Sequence, residues 1–88
     1  MEYTVNHYPE IGRFEITQDG YTAYVEYTLR NETMDITHTY VPPPIEGRGI
    51  ASLLVEHACD YAKGKGLRII PTCSYVKVWL NRHPGYQD

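Results

Sequence analysis

The clearest chemical signal in this sequence is a glycine turn, residues 46–52, which reads Glu-Gly-Arg-Gly-Ile-Ala-Ser. It closely follows three consecutive prolines and precedes apolar residues at helical spacing, so an extended segment is predicted to turn there into a helix. The first N–H groups of a helix have no partner within the helix and carry the positive end of its dipole. Because such a helix start binds phosphate groups, the glycine turn predicts a phosphorylated ligand.

The known phosphate-binding motifs match the glycine turn poorly. A P-loop would need a lysine and a Ser or Thr after the glycines, and a dinucleotide fingerprint would need a third glycine. The chain is also too short for a doubly wound domain. On spacing alone, Gly47 and Gly49 could hold a phosphate group or could serve only the change from strand to helix.

The thiol of Cys73 is the second candidate for chemistry. It follows Pro71, which ends a predicted strand, and it precedes a predicted helix over residues 75–82. A helix N-terminus favours the thiolate, which is the nucleophilic form of cysteine. The alternative is a small buried side chain at a helix cap.

Cys59 is predicted to be structural because it lies in the middle of the first helix. Both cysteines are expected to be reduced thiols rather than a disulfide. No metal site is predicted. His57 and Cys59 are two residues apart on a helix and face different directions, and the other histidines lack the spacing of metal ligands.

Length and charge narrow the classes of function. With 88 residues, the chain suits a single domain over residues 1–88, near the size at which one core just suffices. Its net charge is −3 and it contains no basic run, so neither nucleic acid nor an acidic membrane surface is an expected partner. No apolar stretch reaches the roughly 18 residues of a transmembrane helix, and no signal-peptide pattern opens the chain. The predicted location is therefore cytoplasmic.

The first half of the chain predicts an antiparallel meander. Alternating apolar residues mark strands over residues 3–7, 13–17, 21–29 and 34–41, and Asp19-Gly20 predicts the hairpin turn between the second and the third. In the fourth strand, Ile36, His38 and Tyr40 are predicted to share one face. The sheet is polar on one side, so its apolar side must be covered.

The second half of the chain predicts the helices that cover the apolar side of the sheet. Helical spacing from Ile50 to Tyr61 predicts a helix that Gly64 ends, and a short strand follows over residues 67–70. A strand, a helix and a second strand in one sheet imply a parallel pair with a right-handed crossover. The predicted fold class is α+β, a mostly antiparallel sheet with one parallel strand pair and two main helices.

Several of these segments together resemble the GNAT superfamily of N-acetyltransferases. The family pattern Gln/Arg-x-x-Gly-x-Gly/Ala corresponds to residues 46–51, with Glu46 in place of the usual Gln or Arg. Residues 38–43, 70–76 and 82–86 resemble its small, single-domain, cysteine-containing branch. The resemblance covers about residues 36–86 and implies a GNAT-like sheet that is splayed open between the strand ending at Val41 and the strand ending at Pro71.

The resemblance implies that the phosphorylated ligand is acetyl-coenzyme A or coenzyme A. Its pantetheine arm would pair with backbone groups near Tyr40 and Val41, and its pyrophosphate would bind the amides from Gly47 to Ser52, with Arg48 as a compensating charge. The residues predicted to contact this cofactor are Tyr40, Val41, Glu46, Gly47, Arg48, Gly49, Ile50, Ala51, Ser52, Cys73 and Tyr75.

In the branch that the sequence resembles, the cysteine matching Cys73 lies beside the acetyl group and is proposed to accept it. His38 is the second candidate catalytic residue, as the base that deprotonates an amine, and a structural histidine is its alternative. The chain departs from the family pattern at Tyr40, where relatives often carry Glu, and at Asn81, where many carry a tyrosine that protonates the leaving thiolate. Tyr75 could take over the role of that tyrosine.

Three functions remain open on the sequence. The first is an acyltransferase, a monomer that moves acetyl from acetyl-coenzyme A to an amine, which a macromolecule could carry. The second is a non-catalytic module that binds coenzyme A or acetyl-coenzyme A, which Glu46 and Tyr40 favour. The third is an interaction domain whose glycine turn binds nothing.

Overall fold

Alternating apolar residues and one parallel crossover give the chain a five-stranded sheet with two helices on one face. A computed structural model describes residues 3–86, and the sheet order there is β1-β2-β3-β4-β5. The strands are β1 (Asn6–Tyr8), β2 (Arg13–Gln18), β3 (Tyr21–Arg30), β4 (Thr33–Tyr40) and β5 (Arg68–Pro71). The helices are α1 (Ile50–Gly64) and α2 (Ser74–Arg82). The predicted α+β class is confirmed, although β1 covers residues 6–8 instead of 3–7.

Turn chemistry sets the register of the meander. Asp19 and Gly20 both have positive φ angles, 54° and 80°, which suit the tight hairpin between β2 and β3. Asn31, with a φ angle of 55°, turns the chain between β3 and β4. All pairs from β1 to β4 are antiparallel, and β4 pairs with β5 in parallel.

The core lies between the sheet and the two helices. Apolar side chains from one face of β2, β3 and β4 pack against α1 and α2 there, and removing them from water is the main force that stabilises this arrangement. The fully buried side chains of largest volume are Ile16, Val25, Met34, Ile36, Ile45, Ile50, Leu54, Val55, Cys59 and Val76. Among residues 3–86 neither helix is long and apolar enough to span a membrane.

β4 contains one extra residue. Tyr27 of β3 pairs with Ile36, whereas the preceding Glu26 pairs with His38, so Thr37 has no counterpart on β3. This bulge reverses the alternation of side chains along β4. The prediction that Ile36, His38 and Tyr40 share a face is therefore wrong: Ile36 faces the core, and His38 faces the opposite side.

β4 and β5 separate beyond this point. Their last pair joins Ile36 to Pro71, and the N–H of Cys73 then donates to the carbonyl of Ile36 at 2.9 Å. β4 continues to Tyr40, and no strand of the described part of the chain pairs with that end on the β5 side. The sheet is therefore open between the two strands, as the family resemblance implied.

Gly12, in the loop before β2, packs closely against strand β3. Its φ angle is 66°, and its carbonyl accepts a hydrogen bond from the N–H of Tyr27 at 2.9 Å. A Cβ added at Gly12 would overlap the carbonyl oxygen of Tyr27. We expect Gly12→Ala to lower the free energy of unfolding by about 2 kcal/mol more than Gly20→Ala, because such overlap forces the backbone to shift.

Gly20 is a matched control for this comparison. Its φ angle is also positive, at 80°, but an added Cβ would meet nothing within 4 Å. Urea unfolding of both variants measures the difference. Equal destabilisation would contradict the packing described at Gly12.

Candidate functional site

A cleft opens at the N-terminal end of α1, and it has a volume of about 320 Å³. Its lining residues are Val41, Ile45, Glu46, Gly47, Gly49, Ile50, Ala51, Ser52 and Tyr75. All of them except Ile45 belong to the set predicted from the sequence to contact the cofactor. Arg48, Tyr40 and Cys73 complete that set but are not part of this lining.

The glycine turn presents a run of unused backbone donors to the cleft. Gly47 and Gly49 have φ angles of 76° and 78°, a left-handed conformation that glycine adopts without strain. Within residues 3–86, the N–H groups of residues 47–52 donate to no backbone carbonyl, and the first such bond of α1 joins the Leu53 N–H to the Gly49 carbonyl at 3.1 Å. An added Cβ at either glycine would meet nothing within 4 Å. Donors and open space thus coincide at the helix start.

Two side-chain contacts hold the glycine turn in place. The guanidinium of Arg48 donates to Asp19 at 2.8 Å and to the carbonyl of Pro44 at 3.3 Å, which ties the turn to the β2–β3 hairpin. The indole N–H of Trp79 donates to the Ser52 hydroxyl at 2.9 Å and ties the first turn of α1 to α2. Arg48 is thus engaged with Asp19; its predicted role, to compensate the Glu46 carboxylate near the pyrophosphate, stays a prediction.

Cys73 occupies the N-cap position of α2. Its thiol donates to the hydroxyl oxygen of Thr39 at 3.5 Å. Burial by itself raises the pKa of this thiol, but the Thr39 hydroxyl and the nearby backbone N–H groups of Val76, Tyr75 and Thr39, which can all donate to the thiolate once it forms, outweigh it, so the pKa is lowered. Cys73 therefore has the environment of a reactive thiol.

Thr39 is the site residue that sequence reasoning missed. It pairs with the buried Val25 and so lies on the helix-facing side of β4, although strict alternation from Ile36 would place it on the other side. The bulge at Thr37 brings its hydroxyl to Cys73. No pattern in the sequence marks a single extra residue within a strand.

Cys59 shows the contrast between the two thiols. It is fully buried in α1, and burial raises the pKa of its thiol to about 12, with the charge of Asp60 adding to the effect. A thiol in this state is a poor nucleophile at neutral pH. The buried Cys59 thus fits its predicted structural role, and the functional role of Cys73 stays a prediction.

His38 and Tyr40 lie on the open face of the sheet, away from the helices. Their rings pack beside Tyr24, with ring centres 5.8 Å and 5.6 Å from it, and both side chains are exposed. The structure therefore does not bring the His38 ring into the environment of Cys73. Tyr40 contributes no side chain to the cleft, although its backbone borders the splay between β4 and β5.

The two residues considered for protonating a leaving thiolate occupy different places. Tyr75 lines the cleft and is 40% exposed, so its hydroxyl is accessible there. Asn81 lies in the last turn of α2 and lines a separate cavity. Within residues 3–86, no group of three or more His, Cys, Asp or Glu side chains is close enough to hold a metal ion.

Comparison with known proteins identifies the family. The model of the GCN5-related N-acetyl-transferases matches residues 13–88, so the chain belongs to this family, and the GNAT resemblance is confirmed. The family's fold implies binding of acetyl-coenzyme A.

Individual relatives are more distant. The chain is 36% identical over 53 residues to Protein NATD1 of Xenopus tropicalis, a match that covers 60% of this chain and 49% of that protein. It is 37% identical over 51 residues to Protein NATD1 of Bos taurus, covering 58% and 45%. The chain thus spans about half the length of the curated relatives it matches. The solution structure of a GCN5-like protein from Staphylococcus aureus superposes with a TM-score of 0.72 at 27% identity, covering 99% of this chain and 84% of that one.

The Thr39 hydroxyl can be tested through the reactivity of Cys73. We expect Thr39→Val to raise the pKa of the Cys73 thiol, because the thiolate loses a hydrogen-bond donor. The pH profile of alkylation by iodoacetamide should shift to higher pH, with a severalfold lower rate at neutral pH.

Thr37→Val is the matched control for this measurement. The Thr37 hydroxyl donates to the carbonyl of Glu26 at 3.4 Å rather than to Cys73, so its loss should leave the alkylation profile unchanged. If the Thr39 and Thr37 variants alkylate alike, the Thr39 hydroxyl does not influence the thiol.

Proposed function

We propose that this chain transfers an acetyl group from acetyl-coenzyme A to an amine, and that Cys73 accepts the group first. The observation that carries the proposal is the hydrogen-bonded, partly buried thiol of Cys73, two residues before Tyr75 of the cleft lining. The cleft and the thiol are connected along the chain by residues 73–75, and the Thr39 hydroxyl beside the thiol lies two residues before Val41 of the lining. Membership in the GCN5-related family supports acetyl-coenzyme A as the donor substrate.

The residues around the cleft fit the parts of acetyl-coenzyme A. The free N–H groups of residues 47–52 suit its pyrophosphate, and the positive end of the α1 dipole adds to their attraction. The unpaired edge of β4 near Tyr40 and Val41 suits the amides of the pantetheine arm, which can add to the sheet like a short strand. A path along β4 leads from the glycine turn towards Thr39 and Cys73.

The lowered pKa of Cys73 suits a two-step transfer. Its thiolate attacks the thioester carbonyl carbon, a C–S bond to Cys73 forms, and the bond to the coenzyme A sulfur breaks. The released coenzyme A thiolate then takes a proton. We assign this proton to the hydroxyl of Tyr75, which is exposed in the cleft and lies two residues after Cys73 in the sequence. The acceptor amine then attacks the acetyl carbon, a C–N bond forms, and Cys73 leaves as thiolate.

The acceptor amine must lose a proton before or during the second step. His38, the base predicted from the sequence, faces the opposite side of the sheet from Thr39 and Cys73, so we assign this proton to water. An amine that reaches Cys73 must approach from the helix-facing side of β4.

A coenzyme A-binding module without turnover is the second candidate. The lack of a base beside Cys73 among the described residues favours it, because His38 faces the opposite side of the sheet and Tyr40 stands where relatives often carry Glu. Binding of coenzyme A at the glycine turn needs no such base.

Transfer to Cys73 can be detected directly by mass. Incubation with acetyl-coenzyme A should add one acetyl group to the protein, and Cys73→Ala should abolish the addition because the nucleophile is gone. Cys59→Ala is the matched control and should still be acetylated, since the Cys59 thiol has a pKa of about 12. Peptide mapping locates the modified residue. Binding without any adduct would favour the non-catalytic module.

The placement of the donor substrate is tested at Gly49. We expect Gly49→Val to weaken binding of coenzyme A by about tenfold or more, because a branched side chain would occupy the space in front of the free N–H groups. Calorimetry measures the affinity.

Gly66→Val is the control for strain alone. Gly66 has a similar φ angle of 70°, an added Cβ there meets nothing within 4 Å, and it lies beyond the opposite end of α1. An equal loss of affinity in both variants would argue against the placement of the pyrophosphate at the glycine turn.

A further inference from the structure

The hydroxyl of Ser52 forms one hydrogen bond whose direction leaves its own proton unused. Ser52 belongs to the first turn of α1, lines the cleft at the glycine turn and is half-buried. Its Oγ accepts the indole N–H of Trp79 at 2.9 Å. An indole N–H can only donate, whereas a serine hydroxyl has one proton to donate and two lone pairs that accept. The Ser52 hydroxyl is therefore an acceptor towards Trp79 and still a donor elsewhere.

This proton has no acceptor within the described part of the chain. A serine in a helix can donate back to a carbonyl three or four residues earlier, which here would be that of Gly49 or Arg48. The Gly49 carbonyl instead accepts the Leu53 N–H at 3.1 Å. Among residues 3–86, the bond from Trp79 is the only hydrogen bond of the Ser52 hydroxyl. Because Ser52 lines the cleft, a ligand bound there can accept the proton.

The neighbours of Trp79 hold its indole in one orientation. Trp79 is 5% exposed, and its ring stacks on the His83 ring with centres 3.8 Å apart and planes 13° apart. The Tyr86 ring packs beside it at 5.2 Å. The Nδ1–H of His83 donates to the Trp79 carbonyl at 2.8 Å, which keeps the stacked rings together. Since a buried indole N–H needs a partner, this packing keeps the N–H directed at Ser52.

Side-chain donors are scarce in the lining of the cleft. Only Ser52 and Tyr75 have a side chain there that can donate a hydrogen bond. Glu46 offers a carboxylate, and the Arg48 guanidinium is paired with Asp19. Ser52 also lies in the same stretch as the free N–H groups of residues 47–52. An anion held by those N–H groups is therefore within the reach of its hydroxyl.

We propose that Trp79 is a positioning residue for coenzyme A: by donating to Ser52, it directs the Ser52 hydroxyl proton to an oxygen of the pyrophosphate. The inference rests on the proposed function, which uses only the backbone N–H of Ser52. A hydroxyl that donates to a phosphate oxygen makes a charge-assisted hydrogen bond, which is stronger than one between neutral groups. The bond from the indole also polarises the hydroxyl and makes it a better donor.

The test is the affinity of the full chain and its variants for coenzyme A, measured by calorimetry. Ser52→Ala should weaken binding about tenfold, because a hydrogen bond to a charged group is lost. Ser52→Thr returns a hydroxyl and should recover most of that loss. Trp79→Phe keeps an aromatic ring without an N–H, so it should weaken binding about threefold, since the hydroxyl is present but no longer directed.

The double variant Ser52→Ala/Trp79→Phe separates positioning from packing. If Trp79 acts through the hydroxyl, the double variant binds coenzyme A no more weakly than Ser52→Ala alone. A tryptophan that served only the packing would weaken binding again by its own factor. Tyr86→Phe is the matched control: it removes a hydrogen bond to Asp60 beside Trp79 but leaves the indole N–H, and it should not change the affinity.

The indole N–H gives a direct signal. Trp79 is the only tryptophan of the chain, so its indole N–H has a single NMR resonance. We expect saturation with coenzyme A to shift this resonance, because a phosphate that accepts the hydroxyl proton changes the bond from the indole to the same oxygen. The shift should be lost in Ser52→Ala. This signal and the Ser52 variants decide the matter even if Trp79→Phe does not fold.

The inference is overturned if Ser52→Ala binds coenzyme A as tightly as the unaltered chain, if the two losses multiply in the double variant, or if the indole resonance does not move on saturation. Failure of the proposed function has a different result. A chain that binds coenzyme A but acquires no acetyl group contradicts the transfer, while the same binding measurements still decide the role of Trp79. A chain that does not bind coenzyme A contradicts both.

Discussion

The extra residue at Thr37 turns β4 as it leaves β5, and the geometry of the site depends on that bulge. It rotates the end of β4 so that the Thr39 hydroxyl points to the helix-facing side, where the Cys73 thiol reaches it at 3.5 Å. It also coincides with the end of pairing to β5, which leaves backbone groups of β4 without a strand partner. A regular strand would have placed Thr39 on the open face, away from Cys73.

The two thiols differ in pKa because their surroundings in the fold differ. Cys73 is the N-cap of α2, and the Thr39 hydroxyl, followed by nearby backbone N–H groups, favours its thiolate and lowers its pKa. Cys59 is surrounded by apolar side chains within α1, where ionisation would place a charge in the core, and its pKa rises to about 12. Unpaired N–H groups at a helix start, which favour anions, therefore contribute both at Cys73 and at the glycine turn of α1.

Local patterns in the sequence predicted the elements and most of the cleft. Alternation, the Asp19-Gly20 turn and the glycine stops act over a few residues, so they can be read directly. The face of His38 and the contact between Thr39 and Cys73 could not be predicted in this way. A bulge preserves the apolar alternation on each side and is decided by strand register, which depends on distant pairing partners. The Arg48–Asp19 pair joins residues 29 apart and has no local signature.

The N-terminus of α1 shows how backbone alone can favour an anion. Among residues 3–86, the N–H groups of residues 47–52 have no backbone carbonyl partner, and the dipole is positive there. Backbone donors keep fixed positions, whereas long cationic side chains such as Arg48 adapt to their partners, and Arg48 is engaged with Asp19. In the proposed function, the glycine turn therefore suits the positioning of acetyl-coenzyme A for chemistry at Cys73.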